Sequence, residues 1–287
     1  RFLGGALPLQ ISGTNAFLAE NRKYFNGITI ENSQFLSTES GGTRFTLLDI
    51  DVELPVTIIQ LQQETIIPKI NIHHNLFSQK ATDSSARVLH SISTGAEYNS
   101  QAIVQIYAGL FDVNFSDNKL YGTLTDNTFN GNYFGLYINN YDQGITTALT
   151  GLITSFTKIY NNTIEIINEY ESATTSDLVL SVGCTASIIN IYNNYISMIN
   201  SAYTILPPTS NVTGCIYINN KQTDTYLYNE CIISNNIISR RRITGGALEL
   251  KRAFIYIDTD SGPGKIFNNN FSDPTLDGTD TELLINN

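Results

Sequence analysis

One short phrase returns along this chain: an aliphatic residue, any residue, a polar residue, asparagine, any residue, and a large apolar residue. It reads I-Y-N-N-T-I at 159–164, I-Y-N-N-Y-I at 191–196, I-S-N-N-I-I at 233–238 and I-F-N-N-N-F at 266–271. Looser copies are I-H-H-N-L-F at 72–77, F-S-D-N-K-L at 115–120 and L-T-D-N-T-F at 124–129, with a degenerate I-E-N-S-Q-F at 30–35. Internal repetition on this scale names an architecture before any single residue is weighed. It also means that many conspicuous residues are present because they stack on a counterpart.

Around each motif asparagine the apolar positions fall at offsets −5, −3 and +2. Side chains on a strand alternate with period two, so −5 and −3 share one face, and the asparagine interrupts the alternation before it resumes at +2. Each copy therefore predicts a strand, a tight bend and a second strand. Asparagine suits such a bend because it tolerates the left-handed region and its amide can satisfy nearby backbone groups. Amides stacked turn upon turn can also bond to one another. The predicted corner residues are Asn75, Asn162, Asn194, Asn236 and Asn269, and that role removes them from any set of catalytic candidates. Asn118 and Asn127, nine residues apart, compete for one further corner.

The motif asparagines are spaced by 32 residues from Asn162 to Asn194, 42 to Asn236 and 33 to Asn269. A second column is read from Gly183-Cys184, Gly214-Cys215 and Gly246-Ala247, at steps of 31 and 32. Loops of unequal length over a constant coil are what a solenoid permits. Asn, Ile, Tyr, Thr and Ser are plentiful and only 15% of residues are charged, a mixture that favours strands and polar turns. The fold predicted is all-β: a right-handed parallel β-helix of about seven turns with variable loops, about 35 Å of coil at ~4.8 Å per turn. An α-solenoid conflicts with the period-two pattern, and a propeller would need antiparallel blades with hairpin turns.

G-G-A-L at 4–7 and 245–248, alternating with F/I/L-x-x-N, resembles the repeats of polymorphic outer-membrane autotransporter passengers and of some large protist surface proteins. More broadly the chain resembles the pectin-lyase-like superfamily. The resemblance implies a β-helical fold and a surface location, and it says little about activity.

The segment L-G-G-A-L-P-L-Q-I reads as a mid-coil strand and T-E-L-L-I-N-N as the opening strand of another turn, neither with a cap. Residues 1–287 are therefore expected to be one β-helical segment, uncapped at both ends, of a longer chain or of a filament stacking end to end. The formal net charge of −10 disfavours nucleic acid and anionic membranes as partners. No apolar run is long enough to span a bilayer as a helix.

Cys184, Cys215 and Cys231 are expected to be buried small hydrophobes, with a Cys184–Cys215 pairing as the alternative. Four N-x-S/T sequons start at Asn114, Asn161, Asn211 and Asn270; Asn211, beside Pro207-Pro208, is the preferred glycan acceptor.

Many β-helices cleave acidic polysaccharides, and a hydrolase would need carboxylates grouped on one face. Asp49/Asp51 and Asp258/Asp260 are the candidate pairs, each read first as a solvated outer face. His73, His74 and the lone His90 suggest neither a zinc site nor a triad, and the acidic turn at 273–282 fits no EF-hand loop. No catalytic, cofactor-binding or metal-ligating set is expected. The favoured function is a non-catalytic structural or adhesive segment of an extracellular or cell-surface glycoprotein, with protein and glycan partners. A polysaccharide lyase or hydrolase, and a carbohydrate-binding tailspike or adhesin, are the alternatives.

Overall fold

The computed structural model describes residues 2–3, 9–12, 27–36, 46–52, 67–81, 88–89, 98–108, 111–124, 132–140, 155–168, 177–184, 187–200, 213–220, 230–242, 252–257 and 264–272. They form strands joined by short corners, and no helix among them is long and apolar enough to cross a membrane. Three sheets run the length of the molecule, and the chain visits them in rotation. The entering sheet holds Gly27–Glu31, Lys69–His73, Asp112–Ser116, Ser155–Tyr160, Ser187–Tyr192, Glu230–Ser234 and Gly264–Phe267. The leaving sheet holds Gln34–Leu36, Leu76–Ala81, Lys119–Leu124, Thr163–Asn168, Tyr195–Asn200, Ile237–Arg242 and Asn270–Ser272, with Phe2–Leu3 at one edge. The third sheet holds Leu9–Ser12, Leu48–Val52, Tyr98–Ala108, Asn132–Asn140, Asp177–Cys184, Thr213–Asn220 and Arg252–Ile257. Within these sheets successive strands pair in parallel, and only the short strand Val88–Leu89 adds an antiparallel edge. The fold is a parallel β-helix of about seven turns.

The interior is filled by columns. Ile72, Phe115, Ile159, Ile191 and Ile233 stack at offset −3, and Phe77, Leu120, Ile164, Ile196 and Ile238 at +2, all buried. The third sheet contributes Ile50, Ile106, Ile138, Val182, Ile218 and Ile257 to the same core. Like side chains one above another fill the coil, because each layer presents the shape that the next requires.

A second corner lies in the third sheet. In six of the turns two consecutive residues are buried there, some within a longer buried run: Leu47-Leu48, Ile103-Val104, Gly135-Leu136, Val179-Leu180, Cys215-Ile216 and Phe254-Ile255. Strict alternation would send one of each pair outward. Instead the pairing omits the first member from Ile103 onward, running Ala102↔Phe134 then Val104↔Leu136, and Gly214↔Ala253 then Ile216↔Ile255. The strand bends there as at a bulge.

This doublet corrects the second column expected from the sequence. Gly214 pairs with Leu178, whereas Cys184 pairs with Asn220, so Cys184 and Cys215 are out of step and cannot stack. All three cysteines are buried thiols outside any disulfide. Cys231 does occupy the column of Thr157 and Ile189. G-G-A-L at 4–7 and 245–248 lies outside the described residues, and the strand in the last turn of this sheet is Arg252–Ile257. Of L-T-D-N-T-F at 124–129 only Leu124 is described, and it ends a strand of the leaving sheet, in register with Ala81 and Asn168, whereas the corner copies begin in the entering sheet.

Candidate functional site

The entering and leaving sheets meet at a two-residue corner that repeats without a break. The motif asparagine does not itself adopt the left-handed conformation; the residue before it does. Asn32, His74, Asp117, Asn161, Asn193, Asn235 and Asn268 have φ between 52° and 57°. This reversal leaves the motif residue free to turn inward, where Asn75, Asn118, Asn162, Asn194 and Asn236 are buried. Asn118 is thus the corner residue of its turn, Ser33 stands at the same place in the first described turn, and Asn127 lies outside the described residues.

Each buried amide is bonded on both sides. The Oδ1 of Asn162 accepts from the backbone N–H of Asn118 at 2.9 Å and from its Nδ2 at 3.2 Å. The Nδ2 of Asn162 donates to Phe115 O one turn back (2.9 Å) and to Asn194 Oδ1 one turn on (3.0 Å). The pattern continues from Asn194 to Asn236 and from Asn236 to Asn269, with Asn194 Nδ2 on Ile159 O and Asn236 Nδ2 on Ile191 O. At the start, Ser33 donates its N–H to Asn75 Oδ1 (3.0 Å). Backbone bonds flank every rung, as from Tyr195 N–H to Asn162 O and from Asn161 N–H to Tyr192 O. A buried amide left unpaired would cost about 1–3 kcal/mol; here both ends of the side chain are used.

The corner's outer edge changes character along the coil. Just before the left-handed residue, the outward column runs Glu31, His73, Ser116, Tyr160, Tyr192, Ser234 and Phe267. Just after the amide it runs Gln34, Leu76, Lys119, Thr163, Tyr195, Ile237 and Asn270. The early turns thus include the charged or titratable Glu31, His73 and Lys119, and the later ones the aromatic or aliphatic Tyr160, Tyr192, Tyr195, Ile237 and Phe267. Tyr160 and Tyr192 stack with centroids 4.9 Å apart and planes within 3°. Tyr195 (38% exposed), Ile237 (47%) and Phe267 (47%) present apolar surface around them.

Of the glycan-acceptor candidates, Asn161 and Asn270 are exposed. Asn114 is half-buried, and its Oδ1 is buried without a hydrogen-bond partner, so its amide is turned toward the wall. Asn211 lies outside the described residues.

Asp49 and Asp51 share the outer face of Leu48–Val52, and among the described residues no larger group of acidic side chains assembles. Asp49 sits in the third sheet between two amides, accepting from Gln10 Nε2 and Gln105 Nε2 at 3.2 Å each. Asp51 pairs with Ser12 and Tyr107 in its neighbouring turns. Asp258, Asp260, His90 and the acidic turn at 273–282 lie outside the described residues. Asp112, whose carboxyl is pushed up by burial, accepts the Phe156 N–H at 2.9 Å. Lys265 bonds Glu230.

No family model, curated protein or solved structure matches this chain.

Proposed function

We propose that this chain is a non-catalytic structural and adhesive segment of an extracellular or cell-surface glycoprotein, built on a pectin-lyase-like coil. The observation that carries this reading is the corner itself. Behind it stands an amide ladder with every rung satisfied, and in front of it the exposed apolar edge of Tyr195, Ile237 and Phe267 beside the half-buried Tyr192. A ladder of buried, neutral hydrogen bonds gives rigidity without any group poised for proton transfer. An aromatic edge on a rigid wall supplies stacking surface for sugars or for apolar protein surface.

Two further features support the assignment. Asp49 is engaged by the side-chain amides of Gln10 and Gln105 from the adjoining turns, which ties up one carboxylate of the Asp49/Asp51 pair that a glycosidase would need. The three thiols are buried, which would protect them in an oxidising exterior.

The test is a binding and cleavage assay on one preparation. The chain is passed over glycan arrays and protein-coated surfaces, in parallel with a variant carrying Tyr195→Thr, Ile237→Thr and Phe267→Ser. These replacements are residues found elsewhere in the same columns. Retention by the parent and at least tenfold weaker retention by the variant is the expected result. Release of reducing ends or unsaturated sugars from an acidic polysaccharide would sink the proposal, as would equal retention of both proteins.

A further inference from the structure

Neighbouring residues on a strand point to opposite sides, yet His73 and His74 do not. His73 ends its strand facing outward, in the column of Glu31 and Ser116. His74 is the left-handed residue of its corner, with φ of 57°, and that reversal carries its ring to the side of its neighbour. The two imidazoles meet edge to face, planes 85° apart, with Nδ1 of one 3.0 Å from Nδ1 of the other.

We propose that His73 and His74 form a two-nitrogen clip for a divalent transition metal, Cu(II) or Ni(II). A metal ~2.0–2.1 Å from each nitrogen would subtend roughly 90–97° at the observed separation. That is the angle of neighbouring ligands in tetragonal or octahedral coordination, narrower than a tetrahedral pair, and imidazole nitrogens suit both ions. Glu31 stands behind the clip, its Oε2 3.5 Å from Nε2 of His73. A carboxylate at the distal nitrogen keeps a proton there and leaves the Nδ1 lone pair for the metal. Without metal the two Nδ1 atoms share one hydrogen bond, in which one ring donates and the other accepts. Chelation needs both lone pairs, so the donating ring moves its proton from Nδ1 to Nε2, a change of tautomer with no net proton loss.

Water completes the coordination sphere, since no group of three His, Cys, Asp or Glu side chains assembles among the described residues. Asp117, the next residue in the column of His74, already accepts from Asn161 Nδ2 at 3.2 Å. His73 is partly open to solvent, which gives an ion access.

The other corners supply substitutions that the fold already accepts. Asn occupies the place of His74 at Asn32, Asn161, Asn193, Asn235 and Asn268, and Ser occupies that of His73 at Ser116 and Ser234. The tag-free chain is titrated with CuCl2 and with NiCl2 in a calorimeter against glycine as competitor, and the Cu(II) form is examined by electron paramagnetic resonance. One Cu(II) per chain, with two imidazole nitrogens in a tetragonal spectrum, is expected. His74→Asn and His73→Ser should each weaken binding at least tenfold with an unchanged circular dichroism spectrum, and Glu31→Gln should weaken it about tenfold. The inference is overturned if the parent takes up no saturating ion, if the spectrum reports a single nitrogen, or if His74→Asn binds as the parent does.

Discussion

The coil turns at two aligned corners that solve the same geometric problem by opposite means. At the amide corner a left-handed residue reverses the chain, and a buried asparagine bonds to the turns before and after it. At the doublet corner the strand omits a pairing and turns two apolar residues inward, as at Val179-Leu180 or Phe254-Ile255. The first is held by directional bonds that only one kind of side chain can make. The second is held by packing, and Leu, Ile, Gly, Val, Cys and Phe all serve there. A coil wall can thus be stringent along one edge and permissive along another.

The sharpest way to break this contrast is to remove one rung. Asn162→Ala strands the buried N–H of Asn118, leaves its Nδ2 with Ile72 O alone and frees Phe115 O, so a loss of about 3–5 kcal/mol is expected from urea unfolding. Ile103→Val at the doublet should cost only about 1 kcal/mol by the same measurement. Equal losses would erase the distinction.

Alkali should separate the two kinds of interior next. Amides do not titrate, but burial pushes the Cys184 thiol up to about 12 and also raises that of Cys231. The unfolded thiols ionise near pH 9 while the folded ones stay neutral, so their contribution is complete below that pH and falls as pH rises toward 12. Cys184→Ala should flatten the decline of the urea midpoint between pH 9 and 11; an unchanged slope would contradict the assignment.

The doublet's tolerance has one limit. A Cβ added at Gly135 would come within 2.6 Å of the Val179 carbonyl oxygen, so Gly135→Ala should cost about 1–3 kcal/mol although Ala suits strands better than Gly. The smallest effect expected is at the left-handed position. Asn193→Ala should lose about 1 kcal/mol through backbone strain, and Asn193→Gly should lose little. If alanine were as good as glycine, the corner would not depend on that conformation.

The same contrast explains what could be read in the chain. Asn162, Asn194, Asn236 and Asn269 announce their corner because both bonding and steric demands narrow the choice to one residue type. Asn118 was obscured by Asn127, whose surroundings mimic the phrase; only the six-residue strand Lys119–Leu124, in register with its neighbours, decides between them. The role of the preceding residue was also hidden, since Asn-Asn in most copies lets either member take the bend, and His74 and Asp117 show which one does. The doublet left no signature, because buried apolar pairs arise by chance in any strand-rich chain. Its members were therefore set in the wrong register through Gly183 and Gly214. The imidazole clip was invisible for another reason: adjacent histidines on a strand should diverge, and only the left-handed φ brings them together.

The rungs also have a kinetic consequence. Each joins residues 32 to 44 apart in the chain, so no turn can close its corner from local contacts alone. Forming the first such closure is slow, because a long loop must be gathered before any bond rewards it. Every later turn, however, meets a template: the amide N–H groups of the preceding corner already point toward the place where its Oδ1 must arrive. Folding of this coil should therefore show one slow nucleation followed by rapid, turn-by-turn zippering, with the asparagines acting as the teeth.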